Sequence, residues 1–155
     1  MKVTLLLNGS ATTLEVAPGE MLAYALRREG LFGVKIGCGE GDCGACTVLL
    51  DGEPVNSCLV LAPRVDGHAV TTIEGLGTVH APHPLQVAYA EEGAVQCGYC
   101  IPGSILSSSA LLARNPHPSD REILGALDGN LCRCTGYVKK LTAIRRVVEE
   151  ADHDR

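Results

Sequence analysis

Tryptophan is absent from this chain, phenylalanine occurs once and tyrosine four times. A core without bulky aromatics has to be filled by Leu, Val, Ile and Ala. Long apolar runs are missing as well, and no stretch reaches the 18 residues that mark a membrane helix. The opening MKVTLLLNG holds only three consecutive apolar residues, too few for the apolar segment of a secretory signal. The chain is therefore expected to be soluble and cytoplasmic. Positive charge is also scarce: the formal net charge of −5 argues against nucleic acid or an anionic membrane as partner.

Cysteine, by contrast, is abundant. Eight cysteines stand among 155 residues, 46 % of them hydrophobic and 20 % charged. That composition is globular, and the length allows one domain or two small ones. In a cytosolic chain such cysteine usage points to metal or redox chemistry, with a disulfide framework as the alternative.

The first half reads as β-rich. KVTLLLNGSATTLEVA gives a strand, an Asn8-Gly9 turn and an alternating strand through Leu14 and Val16. Met21, Leu22, Ala25 and Leu26 recur at helical spacing, and Gly30 is a stop. CTVLLDGEPVNSCLVLA reads as a hairpin turning at Asp51-Gly52, and HAVTTIEGL as a last strand. Strands around one helix make an α+β pattern. After about residue 80, four segments carry helical spacing: HPLQVAYAEEGAVQ, PGSILSSSALLARN, PSDREILGALDGN and GYVKKLTAIRRVVEEA. Ser119 and Glu122 form a capping box in the third. The expected organisation is one unit over 1–76, a linker over 77–84 and a helical unit over 85–155.

The cysteines divide along the same boundary. Cys38, Cys43, Cys46 and Cys58 are spaced C-x4-C-x2-C-x11-C, and Cys97, Cys100, Cys132 and Cys134 are spaced C-x2-C-x31-C-x-C. The first is the plant-type 2Fe–2S spacing. Its loop GCGEGDCGAC also carries four glycines, which suit close wrapping of backbone N–H groups around an anionic cluster. Zinc is the alternative, although structural zinc sites favour two short knuckles over three ligands on one loop and a fourth on a later strand. The second spacing could hold zinc on chemistry alone. Its placement favours a cluster, because CGYCIPG leads into a helix at Pro102 and CRCTGY into another near Thr135. Anionic sulfur is stabilised at such helix N-termini.

GCGEGDCGACTV with Cys58, QCGYCIPG and GNLCRCTGY together resemble the small iron–sulfur subunit of the molybdenum hydroxylase (xanthine oxidase) family, over nearly the whole chain. All eight cysteines fall on that family's ligand positions. The resemblance implies an α+β fold, with a β-grasp ferredoxin domain followed by a four-helix domain, each with a 2Fe–2S cluster. It implies a large partner subunit with a molybdopterin cofactor, a medium FAD-binding subunit and a dimer of heterotrimers. Electrons would pass from the molybdopterin centre through the helical-domain cluster and then the ferredoxin-domain cluster, to FAD or an external acceptor. This chain has no nucleotide fingerprint followed by a βαβ unit, so flavin belongs elsewhere. A free-standing ferredoxin-like carrier and a zinc-binding interaction module are the rival functions.

The resemblance also places Gln96, just before Cys97, against the pterin of the large subunit, and Cys134 nearest the pterin's amino edge. The plainer reading of Gln96 is a helix-end glutamine. No catalytic residue is expected on this chain. His68, His80, His83, His117 and His153 stand in turns, the linker or the tail without a paired nucleophile or acid, and loop or surface roles are expected of them. Ser107–Ser109 reads as helix filler or close packing, EEADHDR as a solvated tail, and the basic Lys139-Lys140 pair as a surface feature.

Overall fold

The computed structural model describes residues 1–153. Strands β1 (Lys2–Leu7) and β2 (Ser10–Glu15) pair antiparallel across a turn in which Asn8 and Gly9 have φ of 50° and 80°. Two successive left-handed residues make the turn whose twist matches that of the flanking strands. Alternation along β1 buries Val3, Leu5 and Leu7, and Leu22, Ala23, Ala25 and Leu26 of helix α1 (Leu22–Arg28) join the same core. The helix ends before Gly30, at φ +86°.

A second hairpin, β3 (Thr47–Leu50) and β4 (Glu53–Asn56), turns at Asp51-Gly52. Strand β5 (Ala69–Thr71) inserts between β1, to which it is parallel, and β3, to which it is antiparallel. The sheet order is β2-β1-β5-β3-β4. Two details depart from expectation. The chain after Asn56 leaves the hairpin in a 3-10 turn, Ser57–Leu59, so Cys58 sits on a turn and not on a strand. The segment after β5 coils into a short helix, α2 (Ile73–Leu76), because Asn8 Oδ1 accepts the Thr72 N–H at 2.8 Å and draws the chain off the sheet.

Helices α3 (Pro84–Glu91), α4 (Ile101–Arg114), α5 (Asp120–Leu127) and α6 (Val138–His153) build a second core around Leu85, Tyr89, Ile105, Ile123, Leu127 and Ile144. Ile73 and Leu76 of α2 pack on this second core. The Ser119–Glu122 capping box starts α5, and His83 caps α3 by accepting the Leu85 N–H at 3.2 Å. The expected solvated tail is helical through His153; Asp154 and Arg155 lie outside the described residues. No helix among the described residues is long and apolar enough to cross a membrane.

Helix α4 joins the two halves. Ser104, Ser107 and Ser108 are buried on it, with Ser108 donating to the Ser104 carbonyl at 2.7 Å and lying 3.3 Å from the Tyr89 hydroxyl. The serine run is thus close packing. At Gly103 the helix comes so near the loop carrying Gly44 that a Cβ would strike the Gly44 carbonyl oxygen.

Candidate metal centre

The first ligand loop runs from the end of α1 to the start of β3. At Gly37 a Cβ would lie 2.8 Å from Cys43 Sγ, so only glycine lets the chain pass this close to the sulfur. The backbone turns its amides inward. Cys38 N–H donates to Cys43 Sγ at 3.4 Å, and the N–H groups of Glu40 and Cys43 donate to Cys38 Sγ at 3.4 Å each. Those bonds, first from Glu40 and then from Cys43, hold the Cys38 thiol down at about 6. Cys46 and Cys58 form the other half of the set, both buried beneath the loop. Burial pushes the Cys58 thiol up to about 11, and its hydrogen bond with Cys46 adds to the rise. Ser57 fixes the inner pair by donating to the Cys46 carbonyl at 2.6 Å.

The second set lies on two turns. Cys100 is the N-cap of α4, as CGYCIPG predicts, and Cys97 stands exposed three residues earlier. Cys132 and Cys134 lie between α5 and α6. Here the helix begins later than expected: α6 starts at Val138 and not near Thr135, because Tyr137 adopts a left-handed φ of +68°. Only Cys100 of this set therefore caps a helix directly. Cys132 instead gets its donors from the turn, with Thr135 N–H at 3.5 Å and Thr135 Oγ1 at 3.2 Å from its Sγ. Burial pushes the Cys132 thiol up, but the Thr135 bonds outweigh it, and the thiol ends at about 7. Burial raises Cys100, and Lys140 partly offsets the rise with a 3.1 Å bond to its Sγ. All four thiols line one cavity of about 210 Å³, which Cys43 of the first set also borders.

Among the described cysteines none is bridged. Three pairs of thiols meet, Cys38 with Cys43, Cys46 with Cys58, and Cys100 with Cys132, while Cys97 and Cys134 border the cavity of the second set. A 2Fe–2S cluster needs two thiolates on each of two irons, with N–H donors aimed at sulfur, and the donor set fits that object.

The two sets are tied together by hydrogen bonds between their loops. Leu131 N–H, beside Cys132, donates to the Cys43 carbonyl at 3.0 Å. Buried Asn130 donates to the Gly44 carbonyl at 3.0 Å and lies 3.1 Å from Thr47 Oγ1. Tyr99 donates to the Ile36 carbonyl at 2.6 Å. Gln96 is exposed and donates to the Cys134 carbonyl at 3.2 Å, so residue 96 and residue 134 share one edge of the molecule. Of the histidines, His68 pairs with Asp51 and none touches a cysteine set. The expected surface role of the Lys139-Lys140 pair holds for Lys139 alone, since Lys140 is wholly buried. Sequence reasoning missed Asn130, Tyr99, Thr135 and Lys140. For Lys140 a signal was present, because Ala143 and Ile144 place it on the apolar stripe of α6.

Comparison with known families agrees with this geometry. A model described as a 2Fe-2S iron-sulfur cluster binding domain matches residues 5–70, and one described as a 2Fe-2S binding domain matches residues 72–145. The nicotinate dehydrogenase small FeS subunit of Eubacterium barkeri is 49 % identical over 148 residues, covering 95 % of this chain and 94 % of that one. The chain belongs to the small iron–sulfur subunits of the molybdenum hydroxylase (xanthine oxidase) family. As such it is an electron-transfer component of an oxidoreductase. Solved structures of the family share its fold. Quinoline 2-oxidoreductase from Pseudomonas putida 86 superposes with a TM-score of 0.93 at 42 % identity, over 99 % of this chain and 96 % of that one. Aldehyde oxidoreductase from Desulfovibrio desulfuricans gives 0.95 at 42 % identity over 99 % of this chain, which spans only 17 % of that longer polypeptide.

Proposed function

We propose that Cys38, Cys43, Cys46 and Cys58 hold one 2Fe–2S cluster, and that Cys97, Cys100, Cys132 and Cys134 hold a second. The carrying observation is that N–H donors aim at the sulfurs of Cys38, Cys43 and Cys132, while all four thiols of the second set line one cavity. Bound there, the clusters supply one-electron redox chemistry. The chain's residues hold the sulfurs, keep the inner ligands from water and fasten the two loops to one another.

With this goes a division into a β-grasp ferredoxin unit over 1–76, a linker over 77–84 and a four-helix unit from 85 onward. The two separate cores support a division into two units, with Ile73 and Leu76 packed on the second core. The second ligand set faces a large molybdopterin-bearing subunit, with Gln96 and Cys134 on the facing edge, and the first set faces a medium FAD-binding subunit. Dimers of such heterotrimers, located in the cytoplasm, complete the reading. The relatives' names support a multi-subunit setting, and the 3.2 Å contact of Gln96 with the Cys134 carbonyl supports the shared edge.

Metal analysis of the purified chain tests the ligand assignment. Two clusters demand about four irons and about four acid-labile sulfides per chain. Stoichiometric zinc without labile sulfide would contradict it.

A further inference from the structure

Lys140 lies on the buried stripe of α6 with Ala143 and Ile144, where the helix packs into the second core. An apolar side chain is the cheap choice at such a position, because a buried cation is costly unless an anion meets it. The partner that Lys140 finds is the Cys100 sulfur, 3.1 Å from its Nζ and itself buried. The same amino group lies 5.6 Å from the centroid of the Tyr137 ring, and the Tyr137 hydroxyl accepts the Cys132 N–H at 2.8 Å. Lysine is a donor only. It therefore favours whichever state of its neighbour carries more negative charge.

We propose that Lys140 sets the reduction potential of the second cluster, raising it by holding a cationic hydrogen-bond donor against the Cys100 sulfur from a wholly buried position. The proposal rests on the assignment of Cys97, Cys100, Cys132 and Cys134 as ligands. Gaining one electron adds one negative charge to the cluster, and no proton or other reactant takes part. A donor and a positive charge at a ligating sulfur stabilise that reduced state over the oxidised one. Among the described residues the first set shows no such side-chain cation: its sulfurs receive backbone N–H groups from Cys38, Glu40 and Cys43. Lys140 thus makes the second cluster easier to reduce than its thiolates alone would allow.

Redox titration followed by electron paramagnetic resonance tests this on the full chain with whatever subunits co-purify. Lys140→Met keeps the length of the side chain and removes donor and charge; Lys140→Gln keeps an N–H donor without the charge. The signal missing from Cys132→Ser identifies the second cluster. At the wild-type midpoint of that cluster, Lys140→Met should lower the reduced-to-oxidised ratio at least about tenfold, a midpoint lower by about 59 mV for one electron. Lys140→Gln should fall between, with the first cluster's midpoint unmoved. A change under about twofold in Lys140→Met, with both signals present, overturns the proposal. Should Lys140→Met fail to retain the second cluster, Lys140→Gln decides: a drop of about threefold or more supports the role, and a change under about twofold overturns it. A wild-type iron count near two, in place of about four, would refute the ligand assignment itself and is read separately from any shift in potential.

Discussion

Gly44 shows how a single residue couples the two halves. Its φ is +65°, and a Cβ there would run into the Gly129 carbonyl oxygen and crowd the Asn130 side chain. Alanine at this position would hold a left-handed backbone at about 1–2 kcal/mol and force the loops apart at about 1–3 kcal/mol more. The Gly44→Ala chain is expected to melt roughly 5–15 °C lower than wild type, by the size scaling of thermal midpoints. An unchanged melting curve would mean that the loops give way without loss. The cysteines and loop glycines were legible in the sequence because their spacing is local. Asn130 and Tyr99 were not, since their partners stand 86 and 63 residues away and no neighbouring residue marks them. Lys140 was read as part of a basic surface stretch, although the helical period placed it inward.

Elements form where local chemistry and burial agree. Both hairpins followed from Asn8-Gly9 and Asp51-Gly52, whose residues all take positive φ, and α5 followed from the Ser119 box. The start of α6 did not, because the left-handed Tyr137 belongs to a turn that directs Thr135 at Cys132. Nor did the 3-10 turn bearing Cys58, which continues an apolar run that reads as strand. Helices α4 and α6 carry or border the second cysteine set, and as proposed ligands these cysteines would close a gap of 31 residues between Cys100 and Cys132. Metal-ligand energy is folding energy in such a unit. Cys132→Ser is expected to lose the second cluster and to destabilise residues 85–150, while the first cluster remains. Circular dichroism melting alongside iron analysis reads both effects, and unchanged helicity with an unchanged midpoint would count against the link between ligand and helices.

At the scale of the whole molecule, two cores meet along one seam, and the residues of that seam are the ligand loops themselves. The Leu131 N–H to Cys43 carbonyl bond joins a position beside one ligand set to a member of the other. A single-cluster carrier needs no such seam, so the arrangement favours a chain built to hold two centres in fixed relation. The two cysteine sets were legible in the sequence. The sequence could not show that the two loops meet, because that contact depends on α4 packing against β3 and on Gly103 lying against the Gly44 carbonyl. Spin counting after reduction by dithionite tests the central claim most directly. The account predicts two distinguishable paramagnetic signals, integrating together to about two spins per chain, with one of them missing from Cys132→Ser. One signal at full iron occupancy, or no signal from a zinc-loaded protein, would contradict it.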